Sequence, residues 1–594
     1  MEQLVTHMSI ANLVRGFWGH LSSRRKRQLS LLMLLMVLSS FAEVLSLGAV
    51  LPFLGVLTTP DKIFGLPVLQ PVLQWFSFER AEDLLLPVTA LFILAVLLAG
   101  GMRLLMLYAS TKLSFAISAD FSYEVYRRTL YQPYLVHVSR NSSEIISGIV
   151  NKVGLILSGL LTPVLTLVSS IWLLGTILVA LMIINPLISL IAFFGFGAIY
   201  GVVIFVMRRR LEINSQRVSL EYPKVIQALQ EGLGGIRDVL IDGSQISYCE
   251  IYRNADVPLR NAQASSLFIA GAPRFAAEAL GIAFIAVLAY VLSQQDGGVA
   301  SAITTLGALA LGAQRMLPLL QQGYQALVSI RSSQDSLCDA LRLLDQPVDL
   351  SIHQRDGCEA LFFRKEIRLD RVGFRYAPDG VMVLNDINLT LSYGSRIGFV
   401  GTTGSGKSTL LDVIMGLLPA TEGDVLIDGA PLKTTNLRSW QRLIAHVPQA
   451  IYLSDSSISE NIAFGVPVRE IDMVRVKKAA RQAQISDYIE SLPDGYSTHV
   501  GERGVRLSGG QRQRIGIARA LYKQAQVIIF DEATSALDND TERAIMDAID
   551  SLDRNLTILM IAHRLSTLER CDQIVEISKG RVVKTTDYHN IGKN

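Results

Sequence analysis

The sequence predicts an all-α polytopic membrane domain, six transmembrane helices with long cytoplasmic extensions, followed by an α/β domain. Half of its 594 residues are hydrophobic and only 18% are charged, where about a quarter is usual for soluble chains. The apolar surplus lies in the first half, in six runs that each reach the roughly 20 residues needed to cross a bilayer core. Beyond residue 366 the pattern becomes short β-rich runs alternating with helical ones, as a parallel sheet flanked by helices requires.

The runs fall at Leu29 to Leu57, Leu84 to Ser110, Leu155 to Ile184, Leu187 to Met207, Ser265 to Leu292 and Ala300 to Val328. Asn185-Pro186 separates the third from the fourth as a tight turn. The first run follows Arg24-Arg25-Lys26-Arg27 and contains Glu43. It is nearly twice the length of a signal-peptide core, so it reads as a retained span. Basic clusters at Arg24 to Arg27, Arg127-Arg128 and Arg208 to Arg210 fall on one side of the six-span layout, and the acid-rich loop from Thr58 to Asp83 falls on the other. The positive-inside rule then puts both termini in the cytoplasm and the chain in the cytoplasmic membrane. The net charge of +3 sits in these clusters and points to lipid headgroups, not nucleic acid. Six spans exclude a soluble enzyme.

Two polar, periodic segments, Thr111 to Val153 and Arg208 to Ala264, separate spans on the cytoplasmic side. Each reads as two helical arms reaching about 30 Å below the bilayer. Their tips near 133–143 and 234–243 read either as small helices that touch a cytoplasmic domain or as plain connectors. Cys249, Cys338, Cys358 and Cys571 show no metal-ligand spacing, and neither do the eight histidines. Reduced structural thiols are expected, with no metal beyond one that accompanies a nucleotide.

The membrane domain is expected over residues 1–340, a polar linker over 341–366 and the α/β domain over 367–594. Within the last, the strand Ile397 to Val400 runs into Gly401-Thr402-Thr403-Gly404-Ser405-Gly406-Lys407-Ser408-Thr409, and an apolar helical run follows. Glycines there let consecutive N–H groups and a helix N-terminus surround phosphates. Lys407 adds charge at the β/γ-phosphates and the Ser408 hydroxyl is placed to ligate Mg²⁺, which makes this an α/β P-loop NTPase domain. The apolar run Val527 to Phe530 ends in Asp531-Glu532. Carboxylates at such a strand's carboxyl end lie beside the phosphate loop, so Asp531 is expected to hold Mg²⁺ and Glu532 to polarise an attacking water. Tyr376 stands in a strand region and reads either as an adenine-stacking ring or as core. Leu507-Ser508-Gly509-Gly510-Gln511 opens a helix and offers a second anion-binding N-terminus.

In this order and spacing the motifs resemble those of an ATP-binding cassette (ABC) exporter, along nearly the whole chain. Gly401 to Ser408 is similar to the Walker A loop, Gln449 to the Q-loop glutamine, and Leu507 to Gln511 to the signature. Val527 to Glu532 resembles Walker B, Ser535 to Asp538 the D-loop, and His563 the switch histidine. Tyr376 takes the A-loop position, and Gly501 to Gly504 the exporter-type loop before the signature. The resemblance implies ATP and Mg²⁺ as cofactors, with Ser408, Gln449 and Asp531 on the metal and Glu532, His563 and Gln449 in catalysis. Because each motif occurs once, it implies a half-transporter working as a homodimer, in which Ser508, Gly509, Gly510 and Gln511 complete the partner's site. It also implies coupling helices at the two tips.

For cargo, the informative residues are charges inside apolar runs, which are costly there. Arg103, Arg274 and Arg315 lie in the second, fifth and sixth runs, Glu43 in the first, and Glu278 four residues after Arg274. They read either as structural pairs or as an anion-binding cavity. Their pattern resembles that of the PglK-type lipid-linked oligosaccharide flippases of bacteria, which implies a polyprenyl-pyrophosphate-linked oligosaccharide as the anionic lipid moved. In that resemblance Pro67 to Phe76 forms a short external helix. Open alternatives are a general lipid, drug or peptide exporter, and a non-transporting ATP-gated regulator. The short N-terminus leaves no room for a processing peptidase domain.

Overall fold

The computed structural model describes residues 9–58, 64, 80–184, 186–293, 316–348, 361–532, 539–550, 556–561 and 568–586. The chain divides into two compact units, Met1–Gln132 with Arg140–Val348, and Pro133–Ser139 with Asp349–Asn594.

The first unit is helical. It comprises α1 (Ile10–His20), α2 (Ser23–Thr58), α3 (Leu85–Leu130), α4 (Ser142–Ser147), α5 (Thr162–Ile184), α6 (Pro186–Gly234), α7 (Ile236–Ile241), α8 (Gln245–Ser293), α9 (residues 316–332) and α10 (Gln334–Leu344). Among the described residues four helical stretches are long and apolar enough to cross a membrane: Ser23–Val50, Leu85–Leu130, Ile156–Val179 and Gln245–Ala283. The proposed external helix lies outside the described residues, as do Asn185 and most of the sixth run.

The arms continue the same helices that carry the apolar runs. At 46 residues for α3 and 49 each for α6 and α8, these helices measure about 69 to 74 Å, more than twice a bilayer core. In its polar part α3 keeps Leu113, Ile117, Phe121 and Val125 buried at four-residue spacing, which makes one face. That face packs on Leu13 and Phe17 of α1 and on Leu337, Leu341 and Leu344 of α10. Gly16 lets α1 come close, because a Cβ there would lie 2.6 Å from Leu341 Cδ2. Before α5 the helix widens into π-turns at Gly148–Lys152 and Ile156–Leu161. Higher in the unit, α6, α8 and α9 share a buried polar junction: Tyr200 donates to Gln321 at 2.9 Å, Gln321 to the Ala270 carbonyl at 3.0 Å, and Tyr324 to the Ile269 carbonyl at 2.8 Å.

In the second unit the expected parallel sheet is present, and among the described residues an antiparallel sheet accompanies it. β1 (Glu366–Phe374), β2 (Leu384–Ser392), β4 (Glu422–Ile427) and β5 (Ala430–Pro431) form an antiparallel sheet in the order β2-β1-β4-β5. β3 (Arg396–Val400), β6 (Ile444–Val447), β7 (Val527–Asp531), β8 (Thr557–Ile561), β9 (Gln573–Ser578) and β10 (Arg581–Thr586) form the other, ordered β10-β9-β3-β8-β7-β6. Only its β9–β10 edge is antiparallel. Alternation of apolar and polar residues in β2 marks a half-buried antiparallel strand, while β7 up to Phe530 and β8 from Ile558 are continuous apolar runs because both faces are covered. The helix Tyr134–Ser139, from the first tip, belongs to this unit, and Leu135 packs on its core.

Phe121 is 3% exposed at the junction of α1, α3 and α10. Phe121→Ala should therefore cost about 3–5 kcal/mol, read as a clear drop in the thermal unfolding midpoint in detergent.

Candidate functional site

β3 ends at Val400, in the middle of the parallel sheet, and the chain turns through the glycine loop into a helix at Lys407–Ile414. Open parallel sheets bind ligands at such strand ends. Gly401, Gly404 and Gly406 have φ of +148°, +80° and +103°, and a Cβ on Gly401 would lie 2.1 Å from the Ile577 carbonyl, so the turn admits no side chain there. Ser405 is buried and its hydroxyl has no partner. The ammonium of Lys407, a residue 7% exposed, donates to the carbonyls of Gly401 and Thr402 at 2.8 and 3.0 Å. An orphan hydroxyl, a lysine folded back on its own loop and a cradle of bare backbone fit a polyphosphate. Thr402, Thr403 and Thr409 complete the string, and Thr409 Oγ1 lies 3.3 Å from the Tyr376 hydroxyl.

Ser408 Oγ donates to Asp531 Oδ1 at 3.5 Å, a pair of hard oxygens suited to a divalent cation beside the phosphates. Glu532, the first residue past β7, accepts from Gln449 Nε2 at 2.7 Å. Its φ of +52° is left-handed, a strained conformation for a non-glycine residue. The Asp531 carboxyl is pushed above its ordinary range, first by burial and then by the Glu532 charge, with the Ser408 hydrogen bond and Lys407 opposing. Asp412, on the helix after the loop, was not singled out by any motif. Burial, and secondarily Asp531, push it up from 3.8 to about 6.

Tyr376 lies two residues past β1, not within it: the strand stops at Phe374, and its ring meets Tyr376 edge-on at 4.9 Å. Tyr376 is 44% exposed, an open ring face rather than core. Tyr134 of the short helix has its hydroxyl pushed up by burial and then by Asp412 and Tyr376. Ser508 caps the helix Gly509–Lys523, accepting from Gln511 N at 3.2 Å while Gln511 Oε1 accepts from Ser508 N at 2.8 Å. Gly509 and Gly510 form its first turn. Among the described residues no hydrogen bond joins this turn to the phosphate loop. His563 and Ser535 to Asp538 lie outside the described residues.

In the membrane unit Glu43 is 4% exposed and bonds Arg103 at 2.5 Å across α2 and α3. Both line a cavity of about 570 Å³ with Ser39, Ser40, Ser170 and Gln322. Arg274 pairs with Glu278 at 2.8 Å along α8. Arg315 lies outside the described residues.

A helical membrane unit joined to an α/β unit with this phosphate loop defines an ATP-driven membrane transporter. Residues 384–535 match the family profile described as ABC transporter, and residues 29–306 that described as ABC transporter transmembrane region. The ATP-dependent lipid A-core flippase of Cupriavidus metallidurans is 31% identical over 85% of each chain. That of Ralstonia nicotianae is 30% identical over 91% of this chain and 90% of the relative. A solved structure of a bacterial Atm1-family ABC exporter with ATP bound shares the fold, with a TM-score of 0.75 and 24% identity over 95% of this chain and 96% of that one. The chain belongs to the ABC transporter family and is an ATP-hydrolysing transporter. The cargo in those relatives' names differs from the one implied by the PglK-type resemblance.

Lys407→Ala should weaken ATP binding roughly tenfold to a hundredfold, the worth of a charged hydrogen bond, measurable with a fluorescent ATP analogue. Asp412 makes a pH prediction. Its folded pKa lies above the unfolded value, so the fold binds this proton more tightly. Stability from this group is present below about pH 4 and is lost as pH rises to about 6. Asp412→Asn should raise nucleotide-free stability above pH 6 by about 1 kcal/mol, discounted for its partial exposure, and leave it unchanged near pH 4. Equal gains at both pH values would overturn the assignment.

Proposed function

We propose that the chain is a half-transporter that acts as a homodimer in the cytoplasmic membrane, both termini in the cytoplasm. In this reading it flips an amphipathic anionic lipid with a sugar- and phosphate-bearing headgroup by alternating access. The observation that carries the cargo class is the match over nearly the whole chain to lipid A-core flippases. Acidic glycolipids of that kind and a polyprenyl-pyrophosphate-linked oligosaccharide share this headgroup chemistry.

Lys407 and the loop N–H groups bind the β/γ-phosphates, Tyr376 stacks on the adenine, and Ser408, Gln449 and Asp531 hold Mg²⁺. When bound, Mg²⁺ neutralises charge on the phosphate oxygens. Glu532 orients and polarises water for in-line attack on the γ-phosphate, and His563 contacts that phosphate. The partner's Ser508 to Gln511 turn closes the site. ATP shifts the conformational equilibrium only through its preference for the closed pair of cassettes. The short helices Tyr134–Ser139 and Ile236–Ile241 then act as coupling helices.

For the cargo, ion pairing does not exhaust the arginines. A guanidinium carries five N–H donors, and the Arg103 and Arg274 side chains are 51% and 61% exposed beside their carboxylates. Free donors remain for a phosphate, with Arg315 as the third candidate.

Glu532→Gln should abolish turnover while ATP binding persists and a closed dimer accumulates; near-normal hydrolysis by the purified variant would remove Glu532 from this role. Replacing Arg103, Arg274 and Arg315 by Gln should impair flipping in proteoliposomes and leave basal ATPase largely intact. Flipping is measured with lipid A-core glycolipid, polyprenyl-pyrophosphate oligosaccharide and a neutral lipid in parallel. A well-folded triple variant with unchanged flipping would sink the anionic-cargo reading, while a loss of stability alone would make the arginines structural.

A further inference from the structure

A second basic site lies apart from the nucleotide and from the arginines within the spans. A cavity of about 590 Å³ in the membrane unit is lined by Ser9 at the start of α1, by Arg208, Arg209 and Glu212 of α6, and by Arg331 and Gln334 around the end of α9. Among the described residues, three arginines and one glutamate thus line it. Even with one arginine neutralised by Glu212, two positive charges remain. The volume falls within the roughly 300–1,000 Å³ range of ligand sites.

Its position along the chain narrows the ligand. Arg208 follows directly on the fourth apolar run, which ends at Met207, so in the six-span reading it marks where α6 leaves the hydrocarbon. The side chains just before it, Val202, Phe205 and Val206, are 62%, 67% and 60% exposed. Arg208 stacks on Phe205, with its guanidinium carbon 4.9 Å from the ring centroid. That contact directs the fork while leaving its N–H edges free for bonding. A ligand filling this place needs an anionic oxygen-rich group at the arginines and an apolar tail along the exposed face of α6. A soluble anion satisfies only the first requirement.

We propose that this cavity binds the phosphate headgroup of a resident anionic phospholipid of the cytoplasmic leaflet, distinct from the cargo. The inference rests on the cytoplasmic placement of Arg208 to Arg210 but not on the identity of the cargo. The bound lipid would tie α1, α6 and the end of α9 together at the membrane surface.

The test uses the full-length protein in nanodiscs of phosphatidylcholine with and without phosphatidylglycerol. Native mass spectrometry then counts the phosphatidylglycerol retained per chain on transfer to mild detergent. Wild type should retain it. Arg208→Gln/Arg209→Gln/Arg331→Gln should bind it more weakly by a factor on the order of a hundred, from the loss of three surface charges. The corresponding triple lysine variant should fall between, keeping charge but losing the bidentate fork. Equal unfolding midpoints in pure phosphatidylcholine establish that the variants are folded. Should the triple variant not fold, Arg331→Gln alone should weaken retention by about fivefold. Retention by the glutamine variants equal to wild type overturns the proposal. So does displacement by inorganic phosphate, which would mark a soluble-anion site, or by lipid A-core glycolipid, which would mark the cargo's own entry site. Because retention is read without transport, failure here is separable from failure of the flipping assay.

Discussion

In the nucleotide-binding unit an electrostatic imbalance surrounds the phosphate loop. Asp412, Asp531 and Glu532 gather at the end of the parallel sheet, and burial raises the first two carboxyls toward neutrality. Lys407 opposes the shift at Asp531, yet its ammonium is occupied by two loop carbonyls. Oxygens crowded in this way are tolerated where a cation is to be shared among them. The same geometry ties binding to stability, since a ligand that brings positive charge relieves repulsion already present in the fold.

The site was legible in the sequence where its chemistry is a contiguous string. Gly401 to Thr409 sit on a local strand–loop–helix unit, Asp531-Glu532 at the end of an apolar strand and Ser508 to Gln511 at a helix start, so local sequence positions each string. What was not legible arises from contacts between distant segments. Asp412 looks like an ordinary helix position in Leu411-Asp412-Val413, and burial, with Asp531 second, makes it unusual. The antiparallel sheet escaped notice because bulges and a glycine interrupt the pattern of β1, and β4 opens on Glu422-Gly423, although β2 alternates clearly. Tyr376 was read into a strand region, but pairing with β2 ends at Leu384 opposite Phe374.

In the membrane unit, hydropathy revealed the spans but hid the continuity of each span with its arm. Hydropathy measures solvent preference, and a helix passing from lipid to water changes that preference without changing conformation. The charged residues were legible as candidates, and the pairing of Arg274 with Glu278 followed from their helical spacing. Whether Glu43 would reach Arg103 was undetermined, because two helices can meet at any rotation until their small residues and ridges fix one.

The left-handed backbone at Glu532 sets a conflict between durability and chemistry. Glycine, or to a lesser degree asparagine, adopts φ near +52° with little strain, so the changes that would relax this turn remove the carboxylate that Gln449 holds. Selection for robustness alone would drift away from glutamate here. On the role proposed for Glu532, the strain of this turn is a cost to the fold carried for chemistry.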